Sequence, residues 1–319
     1  MRALVVGAEG FVGAALCHEL RARGHEVRAV DIRPPGSRTA KLASELDWRI
    51  GDASRLEVLL DALQPPDIDA VYFGTFYRTD APGANLEQEV EVMGSAVWRA
   101  MRVALAQGVS RFVFPSSIAV HGVQSDDDPD YDEDSPVRPY ETYGVLKLMG
   151  EYVGARINAS AGRNFAVSVR IPSVYGPGAA VASRFVNVPA VQAARGAVAT
   201  VPYAAKARIC VSHVTDTAGA LASVLEATDV KRSVYELGGL DVSYGDIAAA
   251  VTETVPTADI RLGDELVLPF PHRVRSTHGR QEFGFAHRDL VSGMRSVIEY
   301  ERERREAWLV GKDTHEAAG

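Results

Sequence analysis

The stretch RALVVGAEGFVG, residues 2–13, places three glycines directly after an apolar run of strand length. Gly7, Gly10 and Gly13 form the pattern G-x-x-G-x-x-G, and a helical pattern that ends at Gly24 follows them. The first glycine permits a tight turn, the second lets backbone N–H groups approach a pyrophosphate, and the third lets helix and strand pack closely. The stretch predicts a dinucleotide-binding turn, although a glycine-rich turn without a ligand has the same letters.

Strand-length apolar runs and helical patterns alternate beyond this loop. The runs EVRAVDI, DAVYFGT, SRFVFPSSIAV and FAVSVRIPSV predict strands, whereas the segment from Asn85 to Gly108 and the segment that begins at Tyr140 predict helices. Units of this kind form a parallel, doubly wound sheet with right-handed crossovers. We therefore predict an α/β fold of Rossmann type with a smaller C-terminal α/β region.

The pattern becomes less regular after about residue 172. We predict that residues 1–172 form a dinucleotide-binding domain to which residues 208–238 return. Residues 173–207 and 239–319 are then predicted to form a substrate-binding region.

The composition is that of an ordinary globular protein. Of 319 residues, 46% are hydrophobic and 24% are charged, and the formal net charge of -8 argues against a general nucleic-acid binder. Two cysteines do not suggest a disulfide framework, and no apolar run reaches the roughly 18 residues that span a bilayer. Glu9 interrupts the apolar N-terminus, which argues against a signal peptide. We predict a cytoplasmic protein without a membrane or nucleic-acid partner.

Two acidic residues follow predicted strands on the cofactor side. Asp31 ends the second strand, eighteen residues beyond Gly13, where a carboxylate can accept hydrogen bonds from the adenosine ribose. Such a carboxylate repels a 2′-phosphate and favours NAD over NADP, while Arg33 could neutralise that phosphate and keeps NADP open. Asp52 is placed to contact adenine, with a turn or N-cap role as the equal alternative.

The segment YGVLK, residues 143–147, places Tyr143 and Lys147 one helical turn apart, which alone is more often a surface contact than a catalytic site. Together with the segments GAEGFVG, RFVFPSSIAVHG, RIPSVYGPG, HVTDTAGAL, VYELGG and GRQEFGF, however, it resembles the extended short-chain dehydrogenase/reductase family in its NAD-dependent epimerase/dehydratase branch. The resemblance covers nearly the whole chain.

The resemblance implies a catalytic triad of Ser117, Tyr143 and Lys147. A phenol has a pKa near 10, so Tyr143 needs the Lys147 ammonium and the positive nicotinamide ring to act as a base near neutrality. Tyr143 would then take a hydroxyl proton as hydride leaves the same carbon, and Ser117 would position the substrate oxygen. The implied cofactor contacts are Gly7, Gly10, Phe11, Val12, Gly13, Asp31, Arg33, Asp52, Ala53, Gly74, Thr75, Ser116, Tyr143, Lys147 and Pro172.

Departures from the family pattern bear on the substrate. Ile118 and Ala119 stand where the dehydratases have an Asp-Glu pair, so dehydration is not expected. The predicted substrate contacts are Phe76, Tyr77, Ser117, His121, Ser173 and Arg208. Alternatives stay open for two of them, because His121 could simply pack on its neighbours and Arg208 could be a strand-edge arginine. Arg184 and Arg275 are weaker candidates, and no metal-site spacing is present.

These residues lead to a ranked set of functions. The first is an NAD-dependent dehydrogenase of a small sugar, polyol or sugar acid, since RIPSVYGPG and RICVSHVTDTA resemble the sugar-acid dehydrogenases of the branch. A UDP-hexose 4-epimerase and a non-catalytic dinucleotide sensor are the alternatives. A homodimer is also predicted from the family, through Gly144, Leu148 and Ala155 on one helix and Val97 and Met101 on another, unless these faces pack on the sheet.

Overall fold

A computed structural model of the chain describes residues 1–77, 83–179, 185–268 and 270–316, with side chains up to residue 305 in the last range. The chain divides into two compact units. The first comprises Met1–Pro172, Thr215–Gly239 and Pro269–Ala286, and the second comprises Ser173–Val214, Leu240–Leu268 and His287–Gly319.

These units and the predicted domain ranges differ at three places, one of which is the single residue Gly239, predicted for the substrate-binding region and part of the first unit. Residues 208–214, predicted to return to the first domain, belong to the second unit. Residues 269–286, predicted to lie in the substrate-binding region, belong to the first unit. The functions that the sequence analysis assigned to the two regions stay predictions.

The strands are short and, in the first unit, all except the edge strand at Asp47–Ile50 are buried along most of their length. In chain order they are β1 (Arg2–Val6), β2 (Glu26–Asp31), β3 (Asp47–Ile50), β4 (Ala70–Phe73), β5 (Arg111–Ser117), β6 (Ala166–Ile171), β7 (Ser173–Tyr175), β8 (Ala199–Tyr203), β9 (Arg208–His213), β10 (Val234–Glu236), β11 (Leu240–Ser243) and β12 (Ile260–Glu265).

Seven of these strands form one parallel sheet in the order β10-β6-β5-β4-β1-β2-β3. Strands β4, β5 and β6 are buried at every residue, as expected where helices cover both faces of a parallel sheet. The predicted α/β fold with a doubly wound parallel sheet is therefore confirmed. Because the strands are parallel, the ends of β1, β2, β4 and β5 lie at the same edge of the sheet.

The helices connect these strands. They are α1 (Phe11–Ala22), α2 (Leu56–Ala62), α3 (Leu86–Val90), α4 (Ala96–Ala106), α5 (Thr142–Ala161), α6 (Val188–Arg195), α7 (Val214–Glu226), α8 (Tyr244–Thr254), α9 (His278–Phe283) and α10 (Leu290–Glu316). Single 3₁₀ turns occupy Ala40–Leu42 and Ile118–His121. Within the described ranges, none of the helices is both long enough and apolar enough to cross a membrane.

The helix predicted from Asn85 to Gly108 is interrupted by a π-helical turn. Helix α3 passes through this turn at Glu91–Ser95 before α4 begins. The Thr75 hydroxyl donates to the Val92 carbonyl at 3.1 Å, which gives a carbonyl of the widened turn a partner outside the helix. Apolar periodicity does not distinguish such a turn from a regular α-helix, so the sequence could not predict it.

The second unit has its own core and two small sheets. One sheet has the order β11-β9-β7, and the other pairs β12 with β8. Its buried side chains come from α6, α8 and α10 as well as the strands, and Tyr203 stacks on Tyr244 with ring centroids 4.7 Å apart. Each unit thus buries a separate apolar cluster.

Candidate active site

The loop that joins β1 to α1 has no room for a side chain at its three glycines. A Cβ atom at Gly13 would lie 2.1 Å from the Gly7 carbonyl oxygen, so only glycine lets the helix approach the turn this closely. Gly10 is the N-cap of α1, and Phe11 and Val12 begin its first turn. This glycine-lined N-terminus, with its positive end of the helix dipole, fits the pyrophosphate of a dinucleotide.

Asp31 lies at the end of β2 beside this loop and is buried. Its Oδ2 accepts a hydrogen bond from the Glu9 backbone N–H at 2.9 Å, and its Oδ1 accepts one from the Arg33 backbone N–H at 3.1 Å. The Arg33 side chain is exposed and approaches the same oxygen at 3.4 Å. The structure therefore brings Asp31 and Arg33 to the glycine loop, and their roles toward the adenosine stay predictions.

Asp52 closes its own turn after β3. Its Oδ1 accepts a hydrogen bond from the Ser54 backbone N–H at 2.9 Å, which favours the alternative of a turn residue. Ala53 beside it is buried. A contact with adenine stays a prediction for both residues.

The segment after β4 places an aromatic ring against the predicted catalytic tyrosine. Phe76 is 63% exposed, and its ring lies edge-on to Tyr143 with the centroids 6.0 Å apart. Tyr77 binds the start of α3, because its hydroxyl donates to Gln88 at 2.6 Å and accepts from the Asn85 backbone N–H at 3.1 Å. Gly74 and Thr75 precede them in the chain, and Arg78, which the sequence also predicts beside the nicotinamide pocket, lies outside the described residues.

The two serines at the end of β5 have different partners. Ser117 is at the surface of the core, 9% exposed, and its Oγ accepts from the Ala119 backbone N–H at 3.2 Å. Ser116 is more deeply buried, and its hydroxyl donates to Glu151 at 2.5 Å. This difference supports Ser117 as the serine that can face a substrate, whereas the hydroxyl of Ser116 is already bound.

Tyr143 and Lys147 lie one turn apart on α5, close to the chain that follows Ser117. A Cβ atom at Gly144 would lie 2.6 Å from the Ala119 carbonyl oxygen, so a larger residue would push the helix away from the serine segment. The Lys147 Nζ donates to the Pro115 carbonyl at 2.7 Å and lies 5.6 Å from the centre of the Tyr143 ring. The structure thus brings the three predicted catalytic residues to one edge of the sheet.

Lys147 is buried, and in the part of the chain that the structure describes no carboxylate forms an ion pair with it. Burial lowers the pKa of its ammonium to about 7, even though the nearby Glu151 carboxylate acts to raise that pKa. The ring of Phe114 lies 4.8 Å from the Nζ atom and offers a cation–π contact. An ammonium with such a pKa is charged or neutral depending on small changes around it, as expected at a site of acid–base chemistry.

A buried charged network that sequence reasoning missed lies beside this site. Arg170 on β6 donates to both carboxylate oxygens of Glu151, at 2.9 and 2.8 Å, and to Glu236 on β10 at 3.0 Å. Burial acts to lower the pKa of Arg170, but the Glu151 and Glu236 carboxylates outweigh it and raise that pKa. The charged residues Arg170 and Glu236 inside the apolar strand segments SVRI and VYE could have indicated a buried ion pair.

His121 belongs to this network. Its Nδ1 lies 2.9 Å from the Pro136 carbonyl, its Nε2 lies 2.8 Å from Glu236, and its side chain is fully buried. Because both ring nitrogens face acceptors within the protein, the arrangement favours the packing alternative over the predicted substrate contact.

The other candidates are distributed between the units. In the second unit, Ser173 begins β7 and is half-buried, and Arg208 donates to the Asp241 carboxylate at 2.8 Å on the neighbouring strand β11. In the first unit, Pro172 is buried after β6, and Arg275 pairs with Asp130. Arg184 lies outside the described residues. Among the residues the structure describes, no cluster of His, Cys, Asp and Glu could hold a metal ion.

Comparisons with known proteins agree with this arrangement. A family model described as the NAD dependent epimerase/dehydratase family matches residues 3–238. The chain is 26% identical to the UDP-glucose 4-epimerase of Azospirillum brasilense over 94% of this chain and 92% of that protein. It is 31% identical to the uncharacterized protein y4nG of Sinorhizobium fredii, over 55% of this chain and 42% of that protein. The chain spans less than half the length of several of the curated relatives it matches.

Among solved structures, the chain is similar to MoeE5 in complex with UDP-glucose and NAD. The two are 27% identical with a TM-score of 0.80, over 95% of this chain and 99% of that one.

Proposed function

The chain belongs to the NAD-dependent epimerase/dehydratase family, and we propose that it is a nucleotide-sugar epimerase that oxidises and re-reduces one secondary hydroxyl of its substrate. The observation that carries this proposal is the buried Lys147 beside Tyr143, at the sheet edge where Ser117 ends β5. The full-length similarity to a UDP-glucose 4-epimerase and to MoeE5 supports a nucleoside diphosphate sugar as the substrate.

Family membership confirms three predictions made from the sequence. These are the family itself, the class of NAD-dependent enzyme, and NAD as the cofactor. Gly7, Gly10 and Gly13 are the residues that would hold its pyrophosphate, and Asp31 is the residue that would bind its adenosine ribose. When bound, NAD supplies the two-electron oxidant and reductant for the reacting carbon.

The chain's own residues move the proton. Tyr143 takes the proton of the substrate hydroxyl as the carbon is oxidised and returns it as the carbon is reduced. The Lys147 ammonium stabilises the phenolate that forms when Tyr143 loses its proton. Ser117 donates a hydrogen bond to the substrate oxygen and keeps it within reach of Tyr143.

Elimination of water is not part of the proposal. A dehydratase needs an acid and a base at the positions that follow the catalytic serine, and here Ile118 and Ala119 are both apolar and 3% exposed. Neither side chain can transfer a proton, so the oxidised substrate can only be reduced again or released.

The second candidate is a dehydrogenase of a small sugar or sugar acid, the function that the sequence motifs alone favour first. Ser173, where many epimerases of the family have asparagine, favours it. We place the epimerase first because two relatives that match over nearly their full length are described with UDP-glucose.

The two candidates differ in what happens to the cofactor. The protein is incubated with UDP-glucose, UDP-galactose and a panel of sugar acids with excess NAD, and NADH absorbance is followed alongside product analysis. Product without net NADH supports the epimerase, whereas NADH formed in proportion to product supports the dehydrogenase. Tyr143→Phe should abolish turnover and preserve NAD binding, and the exposed Tyr140→Phe, 74% exposed, is the matched control. A sensor would keep its function in Tyr143→Phe.

We also propose that the chain forms a homodimer through the outer faces of α4 and α5. Of the residues predicted for this contact, Val97, Met101 and Gly144 are buried within the first unit, while Leu148 is half-buried and Ala155 is exposed. Trp98 at 42% exposed, Val145 at 50% and Tyr152 at 64% present the apolar surface instead. Sedimentation should give a dimer for the wild type and a monomer for Tyr152→Glu, and a wild-type monomer at micromolar concentration would contradict the proposal. Cytoplasmic localisation stays a prediction.

A further inference from the structure

Glu9, in the middle of the glycine loop, is a buried carboxylate with no role in the chemistry above. It is 4% exposed. Its Oε2 accepts hydrogen bonds from the Thr39 hydroxyl at 2.5 Å and the Gly36 backbone N–H at 3.1 Å, and its Oε1 accepts one from the Arg38 backbone N–H at 3.2 Å. A carboxylate inside a loop that receives a pyrophosphate needs an explanation, because the two would repel each other.

The hydrogen bonds hold this side chain in its charged form. Burial acts to raise the pKa of Glu9, but the hydrogen bonds from Thr39, Gly36 and Arg38, together with the Arg38 charge, outweigh burial and lower that pKa. Glu9 therefore carries a full negative charge at neutral pH.

The backbone of Glu9 lies beside Asp31, and the Glu9 carboxylate binds the segment that follows Asp31 in the chain. The Glu9 backbone N–H donates to the Asp31 carboxylate at 2.9 Å, so the two acidic residues occupy adjoining positions at the ends of β1 and β2. Each of the two residues is also contacted by an arginine from the segment that follows β2. Arg33 contacts the Asp31 carboxylate, and an Arg38 guanidinium nitrogen lies 3.4 Å from the Glu9 carbonyl oxygen.

Two arginines after β2 would ordinarily favour NADP, because they can neutralise a phosphate on the adenosine ribose. We propose that Glu9 is a specificity-determining residue that, together with Asp31, gives this end of the site a negative charge and excludes NADP. The proposal rests on NAD binding at the glycine loop. Asp31 alone is expected to repel a 2′-phosphate. Glu9 adds a second, buried negative charge, and the positive charges of the two arginines do not cancel both.

The experiment compares the affinities of the wild type and Glu9→Gln for NAD and NADP, measured by calorimetry without substrate. Removal of one charge near the added phosphate should tighten NADP binding about tenfold, the order of one partly screened charge interaction, and leave NAD binding within about threefold. The direction is informative, because a loop that had merely loosened would bind both nucleotides more weakly. Glu9→Ala removes the same charge without an amide group to accommodate and should give the same direction.

Two variants serve as controls. Thr39→Val removes a hydrogen bond to Glu9 but keeps its charge, so the preference for NAD should stay within about threefold of wild type. Glu57→Gln removes an exposed carboxylate, 71% exposed, and should change neither affinity. Loss of the preference in Thr39→Val, or unchanged NADP affinity in both Glu9 variants, would overturn the proposal. A wild type that bound neither nucleotide would instead contradict the proposed function itself.

Discussion

Arg170 and Lys147 are both cations buried in the first unit, 5% and 4% exposed, and their surroundings are opposite. Arg170 donates to the carboxylates of Glu151 and Glu236. Within the described ranges Lys147 forms no ion pair, and its nearest polar partner is the Pro115 carbonyl. The pKa of Arg170 is raised by its carboxylates in spite of burial, whereas burial lowers that of Lys147 to about 7.

Glu151 explains the difference. It lies one turn after Lys147 on α5, where a carboxylate could pair with the ammonium, but both of its oxygens accept from Arg170 and one also accepts from Ser116. The paired cation is fixed in one charge state and stabilises the fold. The unpaired cation stays close to its titration point, where it can respond to the charge on the neighbouring phenol.

The largest expected effect is on catalysis. Lys147→Met removes the ammonium that stabilises the Tyr143 phenolate, and turnover should fall by about 10³-fold, within the range of general acid–base contributions. Steady-state kinetics measures the loss, and Lys41→Met, which changes an exposed lysine, is the matched control. Turnover within tenfold of wild type would mean that Lys147, like Arg170, stabilises the fold and has no catalytic role.

The next effect concerns stability. Arg170→Met leaves two buried carboxylates without their cation, and the free energy of unfolding should drop by about 3 kcal/mol. Denaturant unfolding measures the change, with the exposed Arg55→Met as control, since its side chain is 68% exposed. A loss below about 1 kcal/mol would contradict the structural role assigned to the paired cation.

The titration of Lys147 should affect how the free energy of unfolding depends on pH. The folded protein releases the Lys147 proton near pH 7, whereas the unfolded chain holds it to about pH 10.4, so the unfolded state binds more protons between these values. Stability of the cofactor-free wild type should therefore rise relative to Lys147→Met by roughly 2 kcal/mol between pH 7 and 9. Parallel stability curves for the two proteins would show that Lys147 titrates normally.

The smallest effect separates the two serines. Ser116→Ala removes a hydrogen bond to the Glu151 carboxylate and should cost about 1 kcal/mol of stability with little change in turnover. Ser117→Ala should do the reverse, because its hydroxyl accepts only a local backbone hydrogen bond among the described residues. Denaturant unfolding and steady-state kinetics of the two variants test this prediction. Equal losses of stability and turnover in both variants would contradict it.

The fold and the position of Lys147 beside Tyr143 could be predicted from the sequence, because the sequence patterns that indicate them are local. The glycine loop lies within seven residues, and Tyr143 and Lys147 lie one helical turn apart. The ion pairs of Arg170 could not be predicted in the same way. Glu236 contacts Arg170 across 66 positions of the chain, and the contact exists because β10 lies next to β6 in the sheet.

The same limit applies to the residues predicted to bind substrate. His121 and Arg208 are polar letters in plausible positions, but their partners Glu236 and Asp241 come from strands that local patterns do not place. Ile118 and Ala119, by contrast, could be interpreted from the letters alone, since an apolar side chain cannot transfer a proton in any fold.

The most direct test of this account is the titration of Lys147 itself. NMR of protein labelled at lysine ¹³Cε, with the Lys147→Met spectrum to assign the signal, follows the ammonium in the absence of cofactor. The account predicts a midpoint of about 7 for this one lysine. A midpoint near 10.4, the ordinary value for lysine, would contradict it.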